Sequence, residues 1–250
     1  MYRYTMCGIF FLLNNTQNDK MFVFDQFLKA QHRGPENSYF RHSDDMTTYL
    51  GFHRLAINGI NNESNQPIIK EGITLICNGE IYNHKELYRH LHSSPVTNSD
   101  CEVIIDCYKQ FGIQYTLQLL DGVFAFVLID DTKKEIFVAR DPLGVRPMYV
   151  YSSSSCYLDG FASELKQLND FVKNPNDEIK QFSPGTYSRL KMNSKTRSWT
   201  FDHSYRYFSV FTRHFTFDSY DETLSSIKHY LTEAVKKRVE NTDRPVACLL

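Results

Sequence analysis

Val123-Phe124-Ala125-Phe126-Val127-Leu128-Ile129 and Glu135-Ile136-Phe137-Val138-Ala139 flank the polar segment Asp130 to Lys134, and their reading decides the fold. Each run is apolar at consecutive positions and has strand length, so both faces of each strand must be covered. The pair predicts a hairpin of two well-buried strands. Working outward, Met6 to Leu13 is another buried strand. It follows Arg3 but runs into Asn14-Asn15-Thr16-Gln17-Asn18-Asp19 without a small-residue cleavage site, which argues against a signal peptide. Thr47 to Asn58 reads as extended and Ile73 to Cys77 as a short strand. Met148 to Tyr151 and Cys156 to Ala162 add two more around the serine run Ser152 to Ser155. Helical spacing marks Met21, Phe24, Phe27 and Leu28, ending at Gly34-Pro35, and then His84 to His92 and Glu102 to Phe111. Strands that are apolar on both faces need layers above and below, so a layered α+β sandwich is the economical architecture.

Residues 206–220 are aromatic and irregular. Leu224, Ile227, Leu231, Ala234 and Val235 then mark an amphipathic helix, with Ser219 and Glu222 spaced as a capping box. Asn241 to Pro245 breaks it, and Val246 to Leu250 reads as the first core strand of another domain. Trimming near Tyr205 is therefore expected to improve solubility, because such a strand lacks partners.

Composition excludes several classes. The 28 Lys+Arg against 29 Asp+Glu leave a formal charge of −1, with no basic field for nucleic acid or anionic lipid. At 42% hydrophobic and 23% charged residues, wholesale disorder is excluded. No apolar stretch approaches the roughly 18–20 residues that span a bilayer. Six scattered cysteines without a C-x-x-C pair fit a reducing cytoplasm rather than a disulfide scaffold. The nine histidines show no metal spacing, so no metal is assigned.

Four positions could carry chemistry. Cys7 follows Met6 directly. As a first residue it would hold a thiol and a free α-amine together, and an amine of reference pKa roughly 7.7–8.0 can take the thiol proton without a histidine. A buried structural cysteine is the alternative. Asn78-Gly79 could supply a side-chain amide and a backbone N–H to an oxyanion, or could simply be a hairpin turn. Arg54, a charge within an extended apolar segment, could grip a carboxylate through two parallel hydrogen bonds. Asp100 could hold an ammonium or cap a helix. Asp141 to Pro147 lacks either nucleotide glycine spacing and reads as a structured turn.

Seven blocks stand in the order seen in glutamine-hydrolysing asparagine synthetases: Cys7-Gly8-Ile9-Phe10, His32-Arg33-Gly34-Pro35-Glu36, His53-Arg54-Leu55-Ala56-Ile57, Asn78-Gly79-Glu80-Ile81-Tyr82-Asn83-His84, Ser99-Asp100-Cys101-Glu102, Leu120 to Phe126, and Arg140-Asp141 with Gly144-Val145-Arg146-Pro147. The chain thus resembles that family of class II glutamine amidotransferases. The resemblance implies a four-layer αββα sandwich of the N-terminal-nucleophile hydrolase type over residues 7–205. Residues 206–250 would be a linker, a helix and the first strand of a truncated α/β synthetase domain. It further implies that Cys7 attacks glutamine, that Asn78 and Gly79 form the oxyanion hole, and that Arg54 binds the glutamine carboxylate and Asp100 its ammonium. Leu55, Ala56, Ile57, Asn58 and Glu80 would complete the pocket. The glutaminase part would need no cofactor. ATP and magnesium would serve a synthetase domain that amidates aspartate, with Leu250 at the edge of its ATP site, and a homodimer is compatible with the family.

Two features depart from the pattern. Residues 1–6 tie the Cys7 nitrogen into an amide, so they must be absent for activity, and the Ser-Gly-Gly-Leu-Asp-Ser-Ser loop expected after Leu250 is not in the sequence. Alternatives are the glutaminase domain of another class II amidotransferase, or a remnant that only binds glutamine or a partner subunit.

Overall fold

The computed structural model describes residues 6–45, 47–154, 158–209 and 219–248. Twelve strands form two antiparallel sheets. The first is ordered β10(Glu178–Gln181), β8(Tyr149–Ser152), β9(Gly160–Ala162), β1(Gly8–Leu12), β3(Tyr49–Arg54), β2(Asn37–His42). The second is ordered β12(Trp199–Arg206), β11(Thr186–Met192), β7(Glu135–Arg140), β6(Gly122–Asp130), β5(Ile73–Ile81), β4(Ile68–Lys70). The helices are α1(Lys20–Leu28), α2(His84–Leu91), α3(Val103–Leu119) and α4(Tyr220–Glu240).

Strand alternation explains the layering. Ile9 and Phe11 of β1 face Ala125 and Val127 of β6 between the sheets. Phe10 and Leu12 point the other way, onto Val23 and Phe27 of α1. Phe124, Phe126 and Leu128 of β6 pack against Ile104, Tyr108 and Leu117 of α3. The order is therefore helix, sheet, sheet, helix, as expected. Burial of each such phenylalanine contributes about 1.5–3 kcal/mol, which is why the hairpin at Asp130 to Lys134 is apolar throughout its arms.

Local signals set the element ends. Asp19 caps α1 by accepting from the Phe22 N–H at 2.9 Å. The α3 axis is interrupted at Gly112, whose φ of +75° is open to glycine, and helix resumes to Leu119, beyond the expected end at Phe111. Asp141 fixes the turn after β7 by accepting from Leu143, Val145 and Arg146 N–H groups, as a structured turn requires.

Other expectations change. β5 does not stop at Cys77 but carries Asn78, Gly79 and Glu80 within the ladder, with Asn78 opposite Ala125 and Gly79 opposite Phe124. Asn78-Gly79 is thus neither a hairpin turn nor a helix start. The extended segment ends at Arg54, and Leu55 to Asn58 form a loop. No strand is assigned over 245–248, and Val246 is 56% exposed. Leu250, Cys156, the leader 1–5 and residues 210–218 lie outside the described residues. Ser219 caps α4 through the Glu222 N–H, yet no α4 residue is buried.

The chain beyond α4 is not free. Asn241 is buried and its amide donates to Ile81 O at 3.3 Å, while Asp243 and Arg244 bond the loop after β3. Trimming near Tyr205 would therefore uncover polar groups that the tail now satisfies, a cost that the expected gain in solubility has to outweigh. Among the described residues, no helix is long and apolar enough to cross a membrane.

Candidate active site

The two sheets end together at one edge, and there the N-terminus of β1, the second half of β5, the loop after β3 and the 3-10 turn Asp100–Glu102 meet. Cys7, Arg54, Leu55, Ile57, Asn58, Asn78, Gly79, Glu80 and Asp100 all line one small cavity. Of the residues expected there, Ala56 is the exception. Its N–H donates to Glu36 and its carbonyl accepts from Arg244, so it belongs to the outer wall.

The Cys7 thiol rests on the Leu55 backbone, 3.4 Å from its O and 3.3 Å from its N. Arg33 Nε holds the Cys7 carbonyl at 3.0 Å, and Arg33 is tied in turn to Glu164. Burial pushes the thiol up to about 11, with the Arg146 and Arg54 charges opposing. The bare thiol is therefore a poor nucleophile at neutral pH and needs a base.

Asn78 lies on the opposite face of β5 from Cys77 and Gly79. Its side-chain nitrogen is buried and has no hydrogen-bond partner among the described residues. An unsatisfied buried donor costs about 1–3 kcal/mol, so this strand retains a group that folding alone disfavours. At Gly79 an added Cβ would stand 2.6 Å from Val123 O and 2.8 Å from Phe124 Cα, which the backbone of β6 forbids. Glycine is needed there for the two strands to approach.

Arg54 is 6% exposed. Its Nη1 donates to Asn61 O (3.1 Å) and Asn65 Oδ1 (2.7 Å), and its Nη2 to Asn58 O (3.1 Å) and to Gly59 O. All these partners are neutral, so the guanidinium charge has no carboxylate in contact and remains attractive to an anion.

Asp100 is not a helix cap. Its Oδ2 accepts from Ile81 N–H at 2.6 Å, which ties the 3-10 turn to the end of β5. Burial, aided by the Glu80 charge and opposed by the Ile81 N–H, pushes it up to about 6. The loop before it is fixed by Glu102, which accepts from Val96 N, Thr97 N and Thr97 Oγ1 and pairs with Lys70.

The sequence alone does not single out Arg146, Gln66 or Ser64, which also line the cavity. Arg146 pairs with Glu80 at 2.5 Å and touches the Met6 sulfur. Its only signal was its place in one of the seven blocks. Gln66 binds both backbone groups of Cys77, extending the β5 edge. Among the described residues, no cluster of His, Cys, Asp or Glu could hold a metal ion. A larger cavity of about 470 Å³ adjoins, sharing Asn58 and Ser99 and lined further by His84, Lys85 and Asn241 to Asp243.

A thiol, an amide donor with no partner among the described residues, a cation and a carboxyl thus meet around one cavity. The chain belongs to the glutamine amidotransferase family, whose domain matches residues 6–204. It is 34% identical over 266 residues to the glutamine-hydrolysing asparagine synthetase of Homo sapiens, covering 98% of this chain and 46% of that protein. It is 32% identical over 268 residues to a probable asparagine synthetase of Acanthamoeba polyphaga mimivirus, covering 98% and 47%. The chain thus spans about half the length of these curated relatives. Among solved structures, a glutamine phosphoribosylpyrophosphate amidotransferase from B. subtilis shares the fold, with a TM-score of 0.63 and 21% identity over 81% of this chain and 49% of that one. The fold is that of the N-terminal-nucleophile amidotransferases.

Proposed function

We propose that this chain is the glutamine-hydrolysing part of an asparagine synthetase, releasing ammonia from the glutamine side chain for the amidation of aspartate. The observation that carries the reading is the buried, unpartnered Asn78 amide on the same cavity as the Cys7 thiol. With Cys7 as first residue, its α-amine takes the thiol proton while Sγ bonds to the glutamine amide carbon. The carbonyl electrons move onto oxygen, where Asn78 Nδ2 and the Gly79 N–H stabilise the charge. Collapse of this intermediate breaks the C–N bond, and the α-ammonium gives its proton to the departing nitrogen. The products are ammonia and a thioester, which water then hydrolyses to glutamate and the free thiol.

Arg54 receives the substrate carboxylate and Asp100 its ammonium. ATP, magnesium and aspartate belong to the synthetase part of such an enzyme, and no step through them is assigned to the residues described. Because Asp100 must be an anion to pair with an ammonium, kcat/KM for glutamine is expected to show, below the limb set by the Cys7 α-amine, a second and steeper limb as pH drops through about 6, where the Asp100 carboxyl takes up a proton. Asp100→Asn should flatten that limb and raise KM about tenfold or more. A limb unchanged in the variant would remove Asp100 from this role.

With residue 6 attached, the α-nitrogen is an amide and Met6 itself lines the cavity, whose free volume of about 30 Å³ has room for a few waters and not for an amino acid. A chain beginning at Cys7 is therefore expected to release ammonia and glutamate from glutamine in equal amounts, and the chain retaining residues 1–6 none. Equal activity of the two, or none from the chain beginning at Cys7, would sink the reading.

A further inference from the structure

The loop after β3 is held from both sides. On its inner side, the Asn58 and Gly59 carbonyls receive the Arg54 guanidinium. On its outer side, the segment after α4 binds it group by group. Asp243 Oδ2 accepts from Gly59 N–H at 2.8 Å, Asp243 N donates to Ile57 O at 3.1 Å, and Arg244 Nε donates to Ala56 O at 2.9 Å. Arg244 also pairs with Glu36 at 2.5 Å, and Glu36 accepts from the Ala56 N–H. The same segment reaches the other end of the cavity, where Asn241 donates to Ile81 O, the residue whose N–H holds Asp100. None of these three side chains lines the small cavity beside Cys7.

We propose that Asp243 and Arg244 are positioning residues for the amino-acid end of glutamine, acting through the Ala56 to Gly59 loop to place Arg54. The proposal rests on the glutaminase reading above. Four of the loop's backbone polar groups are satisfied by this strap or by Glu36, which the strap itself holds. Removing the strap leaves them to water and frees the loop to move away from the guanidinium, which then loses two of its four acceptors. The reacting end, where Cys7 immediately precedes β1 and Asn78 lies within β5, is not anchored to the loop except through the Leu55 backbone. The expected signature is consequently a change in binding rather than in chemistry.

The test uses the full chain beginning at Cys7. Arg244→Ala removes a side chain that is 43% exposed, so folding is not threatened. Arg244→Ala and Asp243→Ala are each expected to raise KM for glutamine about tenfold with kcat within about twofold. Asp243→Asn, whose amide oxygen can still accept from Gly59 N–H, should stay near the parent. Lys237→Ala, which breaks only the pair with Asp121 outside the loop, should match the parent. Calorimetric titration of glutamine into the same variants carrying Cys7→Ala gives affinity without turnover and should fall by the same factor. An unchanged or lower KM, or a loss of kcat alone, overturns the positioning role. No turnover by the parent overturns the glutaminase reading instead.

Discussion

Serine in place of Cys7, in a chain that begins at that residue, is expected to lower glutamine turnover by at least about 10³-fold while leaving glutamine affinity within about threefold. The expectation follows from the thiol's surroundings. Burial pushes it up to about 11 while Met6 is attached, against the hydrogen bond from the Leu55 backbone, so little of the thiol is ionised at pH 7. Reaction then depends on proton transfer to the neighbouring α-amine as the sulfur attacks. A serine hydroxyl is a weaker acid and a poorer nucleophile in the same place. Affinity should survive, since Arg54 and Asp100 hold the other end of the substrate. Ammonia release and calorimetry together check this, and residual turnover within tenfold of the parent would dismiss the thiol as nucleophile.

Asn78→Ala is expected to lower kcat by about 10²–10³-fold with little effect on KM, the magnitude seen when one oxyanion donor is removed. The buried amide nitrogen has no partner among the described residues, so its removal also deletes an unsatisfied donor. Stability should accordingly change little, against the several kcal/mol lost when a buried and paired group is truncated. Urea denaturation of parent and variant, alongside kinetics, separates the two cases. A large loss of stability with unchanged kcat would make Asn78 a structural residue.

The layering was legible because the strands that build it are apolar on consecutive positions. Val123 to Ile129 and Glu135 to Ala139 became β6 and β7, each a residue or so longer at its ends. The site was less legible for a physical reason. A strand is recognised by apolar alternation, and β5 abandons it where Asn78, Gly79 and Glu80 line the cavity, so its last residues read as a turn. β10 and β12 have largely exposed positions, and their weak pattern did not separate them from loop. Arg146 was hidden because a turn residue reveals its partner, Glu80, only in three dimensions. The tail showed the opposite error. Asp243 and Arg244 look like solvated loop residues, and only the fold shows that they meet backbone groups of a segment about 185 positions earlier.

The register of β1 bears on how the nucleophile is exposed in the first place. Phe10 pairs with Ala162 and Phe11 with Phe161, so the strand that follows Cys7 cannot complete its sheet until some 150 further residues have been made. At about 5–20 residues per second, a ribosome needs roughly 8–30 s for that stretch. β3 can pair with one edge of β1 after some 45 residues, but the edge that β9 covers stays open throughout this interval. An aminopeptidase or protease that frees Cys7 has its best opportunity while translation continues, before β9 closes over the substrate it must grip.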